Sequence, residues 1–398
     1  MELFGLVTLL FGAKLGGTLF KKLGQPSMAG ELLAGILLGP FAFNLVHKSS
    51  LINSMSEVGL VFLVLLISMG IDWRKTHSHA SSGSTIEIVR VTLTFMAVIA
   101  IGTLSGWGFY ETVIVGMVAI LTSTAIISRT LVNSGYVKSF AGQTMLSLVS
   151  IGEVAGMIAL IAAASFVQNA TIRPETILFL AAVMSGFFLL IGKTGDRLAN
   201  SLTSLIHRHG AEETMLGLTL ILAFAFSTLM ESLNFAALLG IFFAGALLSK
   251  SSHNTSISRK VRDIGEGFFT PFFFASIGLS LDMLIVQTQF YAIMGLAAAL
   301  MLVKWTCTSV TFRAFRFSLR DSIKAGSGMT SLSELTVVIV AVAFSAANPA
   351  MLSIIISVFV LMNIASPLIT SLVFRSNLFS GERFFKTTEK GSSYDFHA

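Results

Sequence analysis

Charge is scarce in this chain. Only 12% of its 398 residues are Asp, Glu, Lys or Arg, against about 25% in ordinary soluble domains. Hydrophobic residues make up 54%, and the mean hydropathy is +0.84. Too little polar surface remains to cover so large an apolar core in water, which argues against a soluble globular domain. The composition therefore predicts an all-α polytopic membrane protein.

Cysteine and an N-terminal positive charge are also missing. Cys307 is the only cysteine, so an intramolecular disulfide and a cysteine-rich metal site are both excluded. Glu2 stands where a cleavable signal peptide carries positive charge, and Lys14 interrupts the apolar stretch. We therefore expect the first apolar segment to be retained as a membrane helix.

Long apolar runs account for most of the sequence. Windows of about 20 apolar residues predict thirteen transmembrane helices. The segments near 234–249 and 265–281 are short, and we expect Gly or Pro to break them. The prediction is a transmembrane domain over 1–376 and a short cytoplasmic tail over 377–398. The helices are predicted near 2–20, 28–46, 52–71, 86–106, 111–132, 140–167, 175–192, 212–231, 234–249, 265–281, 288–312, 322–346 and 350–374.

Basic residues are almost absent from every second loop. The odd-numbered loops and the C-terminal tail hold 21 Lys and Arg, whereas the even-numbered loops hold only Lys48 and Arg173. Because cytoplasmic loops carry the excess of Lys and Arg, the C-terminus is predicted in the cytoplasm and the N-terminus outside. The pI near 9.5 thus follows from topology. We expect membrane lipid as a partner and no nucleic acid.

Three pairs of segments resemble one another at a constant spacing. The pairs align Gly35 with Gly245, Gly70 with Gly278, and Ser123 with about Leu332, all at offsets of 208 to 210. An offset that crosses an odd number of membrane spans makes the two copies oppositely oriented. The sequence therefore predicts two inverted repeats, over about 28–167 and 234–374.

Two ionisable residues lie deep inside predicted spans. Glu153 is near the centre of TMLSLVSIGEVAGMIALIAAASF (144–166), and Lys304 lies within MGLAAALMLVKWTCTSV. An ionised side chain at the bilayer centre costs at least ~2.5–3.5 kcal/mol on insertion scales. We expect the two to face each other or water. A fixed ion pair between two helices is one interpretation; a carboxylate that exchanges a proton for a cation is the favoured one.

The remaining acids and one arginine have simpler interpretations. Glu31, Glu57 and Glu266 lie near helix starts, where a carboxylate suits the helix dipole. Arg90 is expected to extend to the cytoplasmic edge of the membrane. Glu334, in GMTSLSELTVVIV, is instead a third ionisable residue inside a predicted span, after Glu153 and Lys304, and a candidate site residue.

Hydroxyl groups cluster in the middle of two spans, at repeat-equivalent positions. Single Ser and Thr residues in membrane helices often bond back to their own backbone. Paired clusters instead suggest two interrupted helices that cross near the midplane and line an ion site. Their hard oxygen atoms suit sodium or potassium, with Glu153, Thr122 and Ser123 as the metal ligands. The candidate hydroxyls, in LTSTAII and MTSLSEL, are Thr122, Ser123, Thr124, Ser331 and Ser333.

Several stretches together resemble a known family. GQPSMAGELLAGILLGP, EVGLVFLVLLISMGID, LTSTAIISRTLVNSG, LLGIFFAGALLSKSS and IGEGFFTPFFFASIGLSLD are similar, in order, to signature stretches of the monovalent cation/proton antiporter superfamily. The bacterial Kef-type and Nap-type exchangers are the branch most resembled, over about 20–375. The resemblance implies a thirteen-helix fold with core and dimerisation domains and crossing broken helices. It also implies elevator-type alternating access, a homodimer, and a place in the bacterial inner membrane.

The resemblance also assigns roles to particular residues. The family's crossing helices fall on Thr122 to Thr124 and on Ser331 to Glu334, and its core lysine falls on Lys304. The family usually carries an acid pair, Asn-Asp or Gln-Asp where this chain has Gly152 and Glu153. An Arg-Gly-Glu-like stretch of the family is likewise replaced by Leu332-Ser333-Glu334.

The expected function is that of a secondary antiporter, not an enzyme. It would exchange sodium or potassium for protons, with no cofactor beyond these transported ions. A non-transporting scaffold or sensor that keeps the fold, or an uncoupled potassium pathway, are the alternatives. No Walker motif or phosphorylatable aspartate motif is present in the sequence, which argues against an ATP-driven pump.

Overall fold

The computed structural model describes residues 2–70, 80–169, 174–207, 214–233, 236–344 and 348–375. Throughout these ranges the regular structure is helical. A 3₁₀ turn at Tyr136–Lys138 and a π-helical segment at Gly265–Phe269 join the α-helices. The α-helices are α1 Glu2–Lys22, α2 Ser27–Leu38, α3 Ser50–Met69, α4 Ala80–Leu104, α5 Phe109–Ala119, α6 Thr124–Asn133, α7 Phe140–Asn169, α8 Pro174–His207, α9 Thr214–Ser232, α10 Ala237–Leu248, α11 Asn254–Ile264, α12 Thr270–Leu279, α13 Met283–Thr288, α14 Phe290–Ala314, α15 Leu319–Gly328, α16 Leu335–Phe344 and α17 Pro349–Arg375.

Many of these helices have the length and composition of membrane spans. Among the described residues, seven segments qualify, and three shorter helices are equally apolar. The polytopic helical membrane protein predicted from composition is therefore confirmed. The seven are Glu2–Lys22, Ser50–Met69, Gly83–Leu104, Phe109–Asn133, Thr214–Ser232, Phe290–Ala314 and Pro349–Phe374; the three are Ser27–Leu38, Ala237–Leu248 and Leu335–Phe344.

Both predicted breaks are wrong. Helix α10, Ala237–Leu248, is short as predicted but has no break. The segment near 265–281 is not a short broken helix, because α11, the π-helical segment and α12 run on as one helix from Asn254 to Leu279. Pro271 lies in the first turn of α12, directly after the π-helical segment. A π-helical turn already departs from the regular i→i−4 ladder, so a residue without an N–H is tolerated there.

The helices pack in two groups. One contains α1 to α3 and α9 to α12; the other contains α4 to α7 and α14 to α17. In the first group α2 packs on α12, where a side chain at Gly35 would strike the carbonyl of Ala275. Likewise α10 packs on α3, where a side chain at Gly245 would strike Ser68. This reciprocal packing is what an inverted repeat requires; the limits of the two repeat halves stay a prediction.

The second group contains two interrupted helices. Helix α5 ends at Ala119 and α6 begins at Thr124; α15 ends at Gly328 and α16 begins at Leu335. The hydroxyl of Thr122 donates to the carbonyl of Met329 at 3.5 Å, so the two breaks touch. The interrupted helices predicted from the hydroxyl clusters are therefore present and meet at their breaks.

Candidate ion-binding site

A cavity of about 550 Å³ separates the two helical groups. Eight charged side chains line its walls, four acidic and four basic. On the side of the interrupted helices it is lined by Thr124, Glu153 and Glu334. The charged residues that complete its walls are Glu31, Glu266, Lys14, Lys21, Arg129 and Arg262.

Glu153 lies on α7 and is half-buried in the cavity wall. It accepts a hydrogen bond from the hydroxyl of Thr124, which is the first residue of α6. The carboxylate is thus held beside the N-terminal end of a half-helix, where the dipole favours negative charge. Within the described part of the chain no Lys or Arg forms an ion pair with it. Glu153 can therefore accept a proton or a cation from the cavity.

Lys304 is fully buried on α14 and has a different position from the one expected. Its ammonium group donates to the carbonyls of Ala119 at 2.7 Å and Leu121 at 2.6 Å, and to the Thr122 hydroxyl at 3.3 Å. The lysine therefore satisfies carbonyls that the end of α5 leaves unpaired. The expectation that Lys304 faces Glu153 or water is wrong, whereas Glu153 does face the cavity.

The predicted hydroxyls fall into two sets. Thr124 lines the cavity and bonds to Glu153. The Ser123 hydroxyl accepts from the backbone N–H of Ile126 at 3.4 Å, and that of Ser333 accepts from Leu335 at 3.4 Å. These two bonds are the local backbone interactions that a serine near a helix start commonly makes.

Three of the eight predicted site residues line the cavity. Thr124, Glu153 and Glu334 line it together, and the two carboxylates interact electrostatically. The other five do not line it in this conformation and remain predicted site residues. These are Thr122, Ser123, Ser331, Ser333 and Lys304; the hydroxyl of Ser331 is fully buried and has no partner among the described residues.

A buried ion pair on α4 was not predicted from the sequence. Glu87 is 2% exposed and Arg90 is 0% exposed. The guanidinium donates to both carboxylate oxygens of Glu87, at 2.7 and 2.5 Å, and to the carbonyl of Ile120 at 3.0 Å. The expectation that Arg90 extends to the membrane edge is wrong. Helix α4 begins at Ala80 and not near residue 86, so both residues lie well inside it.

The spacing of Glu87 and Arg90 in the sequence could have predicted this ion pair. Opposite charges three residues apart lie on one face of a helix and can bond to each other. In a chain with so few charged residues, that spacing within an apolar segment marks a buried pair, since either charge alone would be costly there.

The donor set of the cavity fits a monovalent cation better than a transition metal. Its candidate ligands are carboxylate and hydroxyl oxygens from Thr124, Glu153 and Glu334. In the described ranges, no three His, Cys, Asp or Glu side chains are grouped so as to hold a metal ion. Hard oxygen atoms are the ligands suited to alkali and alkaline-earth cations, whereas imidazole and thiolate suit zinc, copper and iron.

Interrupted helices that meet beside a cavity with carboxylates in its wall define a class of protein, the membrane transporters built on discontinuous helices. The chain belongs to the sodium/hydrogen exchanger family, since the model described as "Sodium/hydrogen exchanger, transmembrane" matches residues 6–375. The predicted membership of the monovalent cation/proton antiporter superfamily is thereby confirmed.

Individual relatives agree with this family. The chain is 26% identical to the Na(+)/H(+)-K(+) antiporter GerN of Bacillus cereus, over 84% of this chain and 86% of that protein. It is 24% identical to a Na(+)/H(+) antiporter of Enterococcus hirae, over 85% of this chain and 89% of the relative. The sodium proton antiporter MjNhaP1 of Methanocaldococcus jannaschii has the same fold: the TM-score is 0.71 at 14% identity, covering 94% and 99% of the two chains.

Proposed function

We propose that this protein is a secondary antiporter that exchanges sodium or potassium for protons. The observation that carries the proposal is the position of Glu153, a carboxylate that lines the cavity, accepts a bond from Thr124 and has no cationic partner among the described residues. Relatives named as Na(+)/H(+) and Na(+)/H(+)-K(+) antiporters support it.

The exchange step follows from competition for one carboxylate. A proton on Glu153 neutralises it, and a cation bound to it does the same, so the two exclude each other. Thr124 donates to the carboxylate in the structure; by rotating its hydroxyl it can offer an oxygen to the cation instead. Glu334, on the same cavity wall, attracts cations to the site. Each full cycle then moves one cation against one proton on Glu153.

The two helical groups suit alternating access by an elevator-type movement. In this proposal the group that carries Glu153 slides against the other, carrying the site across the membrane, and the protein forms a homodimer in the bacterial inner membrane. Lys21, Arg129 and Arg262 line the cavity and are among the basic residues whose uneven distribution predicts the cytoplasmic side; they lie on α1, α6 and α11. With the C-terminus in the cytoplasm, the cavity therefore opens to the cytoplasmic side.

The test is cation/proton exchange by the purified protein in proteoliposomes, with sodium, lithium and potassium compared. Wild-type protein should dissipate a pH gradient when one of these cations is added. Glu153→Gln should abolish this response and leave expression and folding unchanged, because the amide keeps the shape but cannot exchange a proton.

Glu57→Gln is the matched control, since Glu57 is an exposed acid outside the cavity; it should exchange as wild type. Exchange retained by Glu153→Gln would refute the role of this carboxylate. A folded wild-type protein with no exchange would favour the scaffold or sensor alternative, and cation current without proton movement would favour the uncoupled pathway.

A further inference from the structure

The space beside Gly152 is occupied by an acid from another helix. A side chain at Gly152 would begin with a Cβ only 2.8 Å from the Oε1 atom of Glu87 and 3.8 Å from the Nη2 atom of Arg90. Glu87 belongs to α4, whereas Gly152 belongs to α7 and directly precedes Glu153. The carboxylate of Glu87 therefore lies where the side chain of residue 152 would be, and glycine at 152 makes room for it.

Arg90 connects this carboxylate to the first helix break. Its Nε and Nη2 atoms both donate to Glu87, and Nη2 also donates to the carbonyl of Ile120. Lys304 donates to the carbonyls on either side, those of Ala119 and Leu121. Two buried cations thus hold three consecutive carbonyls at the end of α5, immediately before the residues that lead to Thr124.

We propose that Glu87 and Arg90 are positioning residues for ion exchange: Glu87 fills the place of a side chain at residue 152 and holds Arg90 against the break between α5 and α6. This inference rests on the proposed function, and it concerns residues that touch neither the cavity nor the exchanged ion. The pair acts through the backbone of Ile120, which fixes where α6 begins and hence where Thr124 meets Glu153.

The charge balance explains why both members are needed. Arg90 without Glu87 would be a buried unpaired cation beside Lys304, and Glu87 without Arg90 would be a buried unpaired anion. Together they are neutral, so Arg90 can reach the carbonyl of Ile120 without adding net charge near Glu153. A role limited to stability would affect exchange only through loss of folding. A positioning role would slow exchange even in variants that fold as wild type.

The decisive experiment therefore relocates the carboxylate. Glu87→Ala should lower the maximal exchange rate by about tenfold or more, the usual effect of losing an outer-shell partner of an ion site. Gly152→Asp alone should also impair exchange, because two carboxylates would share one place. The double variant Glu87→Ala/Gly152→Asp should recover most of the lost rate, since a carboxylate at residue 152 is within reach of Arg90.

Glu87→Met/Arg90→Met tests the pair without leaving a buried charge. It should fold as wild type, because both charges are removed together, yet it should exchange more slowly since the carbonyl of Ile120 loses its donor. Gly152→Ala should likewise slow exchange. Its matched control is Gly295→Ala, at a glycine of α14 with open space around it, which should behave as wild type.

Folding is measured for every variant by size-exclusion chromatography and thermal unfolding. Wild-type exchange by folded Glu87→Met/Arg90→Met, or a double variant Glu87→Ala/Gly152→Asp no better than Glu87→Ala, would overturn the inference. If the wild-type protein itself shows no exchange, the proposed function is refuted, and the positioning role of Glu87 and Arg90 is refuted with it.

Discussion

The two helix breaks are closed by groups of different charge. At the break between α5 and α6, Lys304 and Arg90 donate to three successive carbonyls. At the break between α15 and α16, the neutral side chain of Asn363 accepts from the backbone N–H of Leu332 at 2.9 Å. The hydroxyls of Thr330 and Ser366 bond to each other nearby, at 2.8 Å. Both breaks are held from neighbouring helices, but only the first by cations.

The same asymmetry applies to the acids. Asn363 on α17 lies 210 positions after Glu153 on α7, within the spacing of the predicted repeat. A carboxylate in one half thus corresponds to an amide in the other. Since Asn363 cannot exchange a proton, only Glu153 of these two repeat-equivalent residues can titrate. We therefore expect proton exchange at Glu153, beside the first break, whereas the second break contributes the carboxylate of Glu334 to the same cavity.

The largest effect is expected when the charged break loses its lysine. Lys304→Met leaves the carbonyls of Ala119 and Leu121 buried without a donor, at about 1–3 kcal/mol each in the free energy of unfolding. Exchange should fall to background, because the backbone before Thr124 is released. Unfolding in detergent and proteoliposome exchange measure the two effects. Lys22→Met, at an exposed lysine of α1, is the control. Wild-type exchange by Lys304→Met would refute the view that cations hold this break.

A smaller effect is expected at the neutral break. Asn363→Ala removes the acceptor for the N–H of Leu332, which should cost about 1–3 kcal/mol in the free energy of unfolding and slow exchange without abolishing it. Asn363→Asp keeps an oxygen acceptor at the same place and should be closer to wild type while its buried carboxyl group is protonated. If Asn363→Ala abolished exchange as completely as Lys304→Met, the two breaks would be functionally equivalent.

The individual hydroxyls should have still smaller and unequal effects. Thr124→Ala removes the group bonded to Glu153, so it should raise the apparent KM for the cation more than it lowers the maximal rate. Ser123→Ala removes a helix cap, which costs about 1 kcal/mol of stability, and Ser333→Ala removes a similar backbone bond; both should leave KM nearly unchanged. Equal KM changes in all three variants would instead indicate that Ser123 and Ser333 are cation ligands, as Thr124 is expected to be.

Hydropathy alone predicted most of the fold because membrane helices must be long and apolar. The paired hydroxyl clusters also indicated both breaks correctly, since polar groups at matched depths in two repeats are hard to explain otherwise. Helix ends were less predictable. Placing the start of α4 near residue 86 moved Arg90 to the membrane edge, whereas the start at Ala80 places it in the interior.

The partners of Lys304 and the neighbour of Gly152 were the part that the sequence could not supply. Lys304 was expected near Glu153 because these are the charges most deeply placed in the sequence. Backbone carbonyls at a helix break can also bind an ammonium group. The residue types in the sequence do not show which carbonyls are left unpaired. Gly152 posed the same difficulty: a glycine in sequence does not show that Glu87 from another helix occupies its side-chain space.

The asymmetry between the breaks finally predicts that transport carries no net charge. Lys304 uses three donors, toward the oxygens of Ala119, Leu121 and Thr122, and only a protonated amine has three N–H groups to give. Losing that proton would leave one of these bonds unmade, and cation binding at Glu153 does not compete for them. We therefore expect Lys304 to stay protonated, so that one proton on Glu153 exchanges for one monovalent cation. Recordings on solid-supported membranes should show no sustained cation-dependent current under conditions where proteoliposomes exchange. A clear current of constant sign would mean that a second proton moves in each cycle, carried by Lys304 or by Glu334, the other carboxylate of the cavity wall.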